Sequence, residues 1–146
     1  MQGIRRRVVY VTLYELIAIG ATSVGLAAFA DSSAERAGVA AVVSSAVAVA
    51  WNVVFNTLFE RWEARQTVRG RGLARRAAHA IGFEGGLVVM LVPFFAWWLD
   101  VSLWQAFVLD LGLLLFFLGY TFVFNWAFDR VFGLPASALP VGDSLK

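Results

Sequence analysis

The chain has 146 residues, of which 60% are hydrophobic and only 15% are charged, and its mean hydropathy is +0.74. A soluble domain averages about 45–50% apolar and about 25% charged residues, so the excess of apolar residues indicates a lipid environment. Despite a net charge of +2 and a pI near 9.5, this composition excludes a soluble enzyme, a nucleic-acid-binding module and a disordered chain.

Four long apolar stretches can be read along the chain. They cover residues 8–30, 38–59, 77–99 and 103–128. Each exceeds the roughly 20 residues that a helix needs to cross the hydrocarbon core of a bilayer. The sequence therefore predicts an all-α membrane protein with four transmembrane helices, surrounded by membrane lipids and with too few residues outside the bilayer for a catalytic domain.

The first stretch has some features of a cleaved signal peptide. Arg5, Arg6 and Arg7 precede it, and an alanine-rich site ends it at residues 28–30. The stretch is longer than the roughly 7–15 apolar residues of a signal core, and it carries Tyr14 and Glu15 in its interior. We therefore predict that it is retained as the first membrane helix.

The second stretch contains small and polar residues at every fourth position, which would form one face of a helix on which another helix can approach closely. These residues are Ala40, Ser44, Ala48, Asn52 and Asn56. Counting from the inner ends of the spans places Asn52 level with Glu15. We predict a polar substrate path here, with packing between helices as the alternative interpretation of Asn56 and Asn125.

The connection between the second and third stretches is strongly basic. Eleven of the 12 Lys and Arg residues lie before the first stretch, in this connection or after the fourth stretch, and only Arg36 lies elsewhere. Because short loops rich in Lys and Arg stay in the cytoplasm, both chain termini are predicted to lie there. The arginines between positions 61 and 76 are interpreted as contacts to anionic headgroups, and no nucleic-acid partner is predicted.

The third stretch begins near His79, the one histidine of the sequence, which we expect near Asp129. A single histidine lacks the ligand spacing of a metal site, so we expect an interfacial hydrogen bond or a supporting role. Glu84 lies between Gly82 and Gly86. This glycine pair would let another backbone come close, within the monomer or in a homodimer, which we expect as the functional unit.

The fourth stretch repeats the second, as the third repeats the first, at an offset of 69 residues. The matching polar pairs are Arg6/Arg75, Arg7/Arg76, Glu15/Glu84, Asp31/Asp100, Ser33/Ser102, Asn56/Asn125 and Arg61/Arg130. The chain is therefore predicted to consist of two helical hairpin repeats related by an axis along the membrane normal. The predicted organisation is a cytoplasmic N-terminus (1–7), a first hairpin (8–61), a basic cytoplasmic loop (62–76), a second hairpin (77–130) and a cytoplasmic tail (131–146).

Three acidic residues lie inside the predicted spans: Glu15, Glu84 and Asp110. A charged group at this depth costs at least about 2.5–3.5 kcal/mol and marks a functional candidate. No Lys or Arg lies within any span, so each carboxylate must hold a proton or bind a cation from outside the protein. We predict that Glu15 and Glu84 couple proton and substrate binding, whereas Asp110, which has no counterpart in the first repeat, is an outer relay or a structural acceptor.

Further residues near these acids are predicted to belong to the substrate path or to a polar network. They are Tyr14, Trp51, Asn52, Asn56, His79, Phe83, Asp110, Tyr120, Asn125 and Asp129. The aromatic faces of Tyr14, Trp51 and Phe83 can hold an organic cation at about 0.5–2 kcal/mol each, with ordinary core packing as the alternative. Counting from the inner ends of the spans, as for Glu15 and Asn52, places Glu84 level with Thr121.

Four segments carry a resemblance to a known family. Residues 7–15 (RVVYVTLYE) and 76–84 (RAAHAIGFE) resemble the repeated RxxHAxxFE motif of the proteobacterial antimicrobial compound efflux family. Residues 51–60 (WNVVFNTLFE) resemble its WNxx(Y/F)NxxF(D/E) motif, and residues 120–129 (YTFVFNWAFD) are the counterpart in the second repeat. Tyr10 stands where the first motif has histidine, and Thr121 where the second has asparagine.

The resemblance implies a four-helix exporter of the bacterial inner membrane. It further implies that the proton gradient drives the export of cationic amphipathic compounds, such as chlorhexidine, acriflavine and quaternary ammonium biocides, or of short diamines. Glu15 would be the proton-coupling residue, and protons would be the coupling ion without any other cofactor.

Two other interpretations remain open. The chain is alternatively a small membrane subunit or scaffold whose buried acids dock a basic helix of another protein. A third interpretation is a small multidrug resistance-type exchanger. The duplicated acids and the six-arginine loop count against that design.

Overall fold

A computed structural model describes residues 3–67 and 72–133, which fold into four long helices. These are α1 (Gly3–Phe29), α2 (Ala34–Ala64), α3 (Leu73–Leu99) and α4 (Leu103–Phe132). Each is long and apolar enough to cross a membrane, and no strand occurs within the described ranges. The predicted all-α fold with four membrane helices is confirmed.

The helices extend beyond the apolar stretches at the end where the arginines lie. α1 begins at Gly3, α2 continues to Ala64 and α3 begins at Leu73. Arginine is a good helix former, so the backbone continues its hydrogen bonding past the point where the apolar residues stop. Arg69 and Arg71 of the predicted basic loop and most of the predicted tail lie outside the described residues.

The two short turns, between α1 and α2 and between α3 and α4, have the same construction. Asp31 and Asp100 both have positive φ angles, of 46° and 57°. Ser33 and Ser102 then cap the following helices, with side chains that accept hydrogen bonds from the backbone N–H groups three residues on. The four residues are two repeat pairs, so the sequence duplication extends to the backbone of the turns.

Each helix packs against two neighbours, in the order α1–α2, α2–α3, α3–α4 and α4–α1. The four helices therefore form a closed ring. We call the end with the two short turns the turn end. The opposite end, where α1 begins, α4 finishes and the chain passes from α2 to α3, is called the basic end.

A compact apolar core fills the ring near the turn end. Phe95 and Leu26 are its largest fully buried side chains, and small residues such as Ala37 and Ala106 let the helices approach closely around them. Large apolar side chains on the outer faces are exposed, as expected for surfaces that face lipid. The core closes the turn end and positions the cavity described next.

Candidate functional site

Between the core and the basic end, the four helices surround a cavity of about 420 Å³. Residues from every helix line it, and they include Glu15 from α1, Glu84 from α3 and Asp110 from α4. The three acidic residues that the sequence places inside the spans therefore face one space. No Lys or Arg is among the lining residues in the described part of the chain.

Glu15 is held by a hydroxyl group of the neighbouring helix. The Ser45 hydroxyl donates a hydrogen bond of 2.5 Å to the Glu15 Oε2 atom. In the second repeat, Leu114 occupies the place of Ser45. Within the described part of the chain, no hydrogen bond reaches the Glu84 carboxylate, so the two repeat-related acids have different surroundings.

The register of α1 and α2 differs from the one expected by counting from the inner ends of the spans. Glu15 bonds Ser45 rather than lying beside Asn52, although Asn52 also lines the cavity. The turn of residues 30–33 fixes which residues are level, whereas α1 and α2 extend by different lengths at the basic end. Thr121 bonds Tyr14 on α1, which is the repeat equivalent of Phe83, the residue before Glu84.

Asp110 is the most deeply buried of the three acids, with 5% of its surface exposed. Its Oδ2 atom has no hydrogen-bond partner among the described residues, and the same holds for the Oγ1 atom of Thr22. Both residues line the cavity. The repeat equivalent of Asp110 is Ala41 on α2, and that of Thr22 is Leu91 on α3. This polar pair therefore occurs where α1 meets α4, and apolar residues take its place where α2 meets α3.

On the basic side of the cavity, the seam between α1 and α4 is a ladder of polar contacts. The pairs are Arg6 with Asp129 (2.5 Å), Tyr10 with Asn125 (2.6 Å) and Tyr14 with Thr121 (2.8 Å). The steps along both helices are four residues, as expected for one face of each helix. The Tyr120 hydroxyl adds a bond of 2.8 Å to the backbone oxygen of Tyr14.

The seam between α2 and α3 is built in the same way. A ring nitrogen of His79 lies 2.8 Å from the side-chain oxygen of Asn56, and the Trp51 indole donates a 2.9 Å bond to the backbone oxygen of Phe83. These contacts are the repeat equivalents of the Tyr10–Asn125 contact and of the bond from Tyr120. Tyr10 therefore replaces a histidine and still contacts the equivalent amide.

The structure divides the predicted site residues into two groups. Those that line the cavity are Glu15, Glu84, Asp110, Tyr14, Asn52 and Phe83. Those that lie in the seams are Trp51, Asn56, His79, Tyr120, Asn125 and Asp129. His79, which we expect near Asp129, has Asn56 as its hydrogen-bond partner, whereas Asp129 pairs with Arg6.

The glycine pair around Glu84 accommodates aromatic rings. A Cβ atom on Gly82 would lie 3.0 Å from the Phe55 ring, and one on Gly86 would overlap the Trp51 indole. Both rings belong to α2 of the same chain. The close approach is therefore between a backbone and side chains within the monomer, and the pair gives no support to a homodimer.

Ser45 and Thr22 were not among the residues singled out from the sequence. The available signal was a hydroxyl side chain within an apolar span at a position where the other repeat has leucine. Among the described residues, no group of three or more His, Cys, Asp or Glu side chains is arranged to hold a metal ion.

Comparison with known proteins identifies relatives over almost the whole chain. The family model described as BTP, chlorhexidine efflux transporter, matches residues 2–65 and again residues 71–134. The two matched segments start 69 residues apart, which confirms the two-repeat organisation. No solved structure matches the chain.

Three similar proteins are each described as a short-chain diamines transporter. The protein from Acinetobacter baylyi is 38% identical over 127 residues, covering 87% of this chain and 89% of that protein. The protein from Acinetobacter baumannii is 36% identical over 87% of this chain and 88% of its own length. The Vibrio parahaemolyticus protein is 33% identical, with coverage of 86% and 89%.

Proposed function

The chain belongs to the chlorhexidine efflux transporter family, also called the proteobacterial antimicrobial compound efflux family, and we propose that it exchanges small organic cations for protons across the bacterial inner membrane. Membership of this family and the names of the relatives identify a multi-pass membrane transporter rather than an enzyme. The observation that carries the proposal of exchange is the four-helix cavity, which collects Glu15, Glu84 and Asp110 with no basic residue among the described residues that line it.

The substrates are small cations that pair with these carboxylates. The relatives are named for short-chain diamines and the family for chlorhexidine, which both carry basic nitrogen groups. A cavity of about 420 Å³ falls within the range of roughly 300–1,000 Å³ that small-molecule sites occupy. Tyr14 and Phe83 present aromatic rings to this space and add cation–π attraction.

Glu15 is the residue that we assign to proton coupling. The Ser45 hydroxyl fixes its carboxylate at 2.5 Å, and an ionised carboxylate accepts such a bond strongly. Glu84 faces the same cavity and shares the bound cation. Thus one side of the cavity has a carboxylate held by a hydroxyl group, and the other has a carboxylate without a hydrogen bond among the described residues.

Proton and substrate compete for the same carboxylate. Loss of a proton from Glu15 leaves a negative charge that binds the cation, and return of a proton on the other side of the membrane neutralises the charge and releases the cation. Because binding free energies linked through one group are reciprocal, no separate coupling element is required. Both chain termini are proposed to be cytoplasmic, and a homodimer remains a prediction.

Purified protein in liposomes, energised by an imposed pH gradient, tests the proposal. Addition of a short-chain diamine or of an acriflavine-type cation should dissipate the gradient, as read by a pH-sensitive dye inside the liposomes. Glu15→Gln keeps the size of the side chain and removes its charge. It should reduce the exchange to the level of empty liposomes and weaken the pH dependence of substrate binding, since Glu84 and Asp110 still titrate in the cavity.

Glu35→Gln is the matched control, because Glu35 is an exposed acid in the first turn of α2, outside the cavity. It should transport like the unmodified protein. If the unmodified protein exchanges no cation under a gradient of either direction, the exchange proposal is wrong. Exchange by Glu15→Gln at the unmodified rate would instead contradict the role of Glu15 alone.

A further inference from the structure

Two buried polar groups in the cavity have no partner. The Oδ2 atom of Asp110 and the Oγ1 atom of Thr22 make no hydrogen bond within residues 3–67 and 72–133. Their residues are 5% and 4% exposed, and both line the cavity. Burying a polar group without a hydrogen bond is unfavourable for folding, and burying an unpaired carboxylate is more unfavourable than burying a hydroxyl. A cation bound between the two groups would remove this penalty.

The two groups lie at similar depth on neighbouring helices. Tyr14 on α1 faces Thr121 on α4, and these helices run in opposite directions. Eight residues further toward the turn end, α1 reaches Thr22 and α4 reaches Leu113. Asp110 is three residues beyond Leu113, which is less than one helical turn.

The hairpin fold does not require either group. The repeat equivalents of Asp110 and Thr22 are Ala41 and Leu91, which occupy the same positions with apolar side chains and also line the cavity. A purely structural need of the hairpin would apply to both repeats. The polar pair therefore serves one side of the cavity only.

Asp110 is displaced along the cavity from the other two acids. The Ser45 hydroxyl that holds Glu15 has Leu114 as its repeat equivalent on α4, and Leu114 lines the cavity together with Glu84. Asp110 lies one helical turn further toward the turn end than Leu114. The cavity therefore presents carboxylates at more than one level along its length.

We propose that Asp110 and Thr22 form a second cation subsite, which binds the far ammonium group of a diamine whose near ammonium group lies between Glu15 and Glu84. The inference rests on the proposed function, since it assumes that the cavity binds the transported cation. The carboxylate neutralises the second charge, and the Thr22 hydroxyl contributes its oxygen as an acceptor. A monoamine of equal length uses the first level only.

Binding of 1,4-diaminobutane and of n-butylamine to the purified full-length protein, measured by calorimetry, tests the subsite. The unmodified protein should prefer the diamine. Asp110→Asn should reduce this preference on the order of tenfold, which corresponds to about 1.4 kcal/mol, because the amide no longer neutralises the second ammonium group. Asp100→Asn removes the same charge from an exposed turn residue whose left-handed backbone suits asparagine, so it should keep the preference.

Thr22→Val provides a second, uncharged variant of nearly the same size. It should also lower the preference for the diamine. If Asp110→Asn does not fold, the Thr22→Val variant alone tests the subsite. An unchanged ratio of the two affinities in both variants, or an equal loss for both amines, would overturn the subsite. Failure of the unmodified protein to bind either amine would instead contradict the proposed function itself.

Discussion

Tyr10 and His79 are repeat equivalents with different chemistry and the same kind of contact. The Tyr10 hydroxyl donates to the Asn125 side-chain oxygen at 2.6 Å, and a His79 ring nitrogen lies 2.8 Å from the equivalent oxygen of Asn56. The tyrosine ring also packs edge-on against Phe124, with ring centres 5.3 Å apart. The common feature is thus an aromatic side chain that links two helices through an amide.

Replacement of Tyr10 separates the hydrogen bond from the ring packing. Tyr10→Phe keeps the ring and loses the hydroxyl, so the free energy of unfolding in detergent should fall by about 0.5–1.5 kcal/mol. Tyr10→His restores a ring nitrogen toward Asn125, as His79 provides toward Asn56, and should lose less. Denaturant unfolding followed by circular dichroism measures both. A larger loss for the histidine variant would contradict the equivalence of the two contacts.

At the scale of the helix, α2 and α3 approach closely because Gly86 leaves room for the Trp51 indole. The indole cannot move away easily, since it donates a bond to the Phe83 backbone oxygen and packs against Phe55 with ring centres 5.4 Å apart. Phe83 and Glu84 then face the cavity. The glycine thereby sets the distance between two helices that carry lining residues.

Gly86→Ala should therefore destabilise the protein. Its Cβ atom would overlap the Trp51 indole, and overpacking of this kind costs about 1–3 kcal/mol. Gly85→Ala is the matched control in the same turn of α3, because a Cβ atom there has nothing within 4 Å. It should be neutral, or stabilising by up to about 1 kcal/mol through helix propensity. Equal thermal unfolding midpoints for the two variants would show that the indole does not occupy this space.

The helices and the three buried acids could be predicted from the sequence because hydropathy and charge are properties of single positions. The pairing of Glu15 with Ser45 could not, since the relative height and rotation of two helices depend on the turn and on side-chain packing. Asn56 and Asn125 are recognisable from the sequence as polar residues in apolar spans. Whether they face the cavity or a seam is a matter of rotation about the helix axis, which four-residue spacing alone does not fix.

The whole molecule combines a symmetric frame with an asymmetric interior. Repeat-related turns at Asp31 and Asp100 and repeat-related seam contacts build the frame. Inside it, Ser45 and Asp110 have apolar counterparts, so the two halves offer different polar groups to the same cavity. A duplicated hairpin can thus keep its packing while one half fixes a carboxylate and the other supplies an additional one.

The orientation of this frame in the membrane follows from the distribution of charge between its ends. Along the sequence, eleven of the 12 basic residues lie in segments 5–7, 61–76 and 130–146, against Arg36 alone in the first short turn region, and positively charged short segments are retained in the cytoplasm. The turn end should therefore face outward. The Arg36 guanidinium lies over the Trp98 ring there, 5.9 Å from the ring centre.

Because the sequence contains no cysteine, single introduced cysteines can report this orientation. Thr67→Cys lies at the basic end and Glu35→Cys at the turn end, and both positions are exposed. In intact cells, a membrane-impermeant maleimide should label Glu35→Cys and spare Thr67→Cys, and inverted membrane vesicles should show the opposite pattern. Labelling of both positions to the same extent from one side would mean that the chain inserts in two orientations, and the charge difference would then be too weak to set the topology.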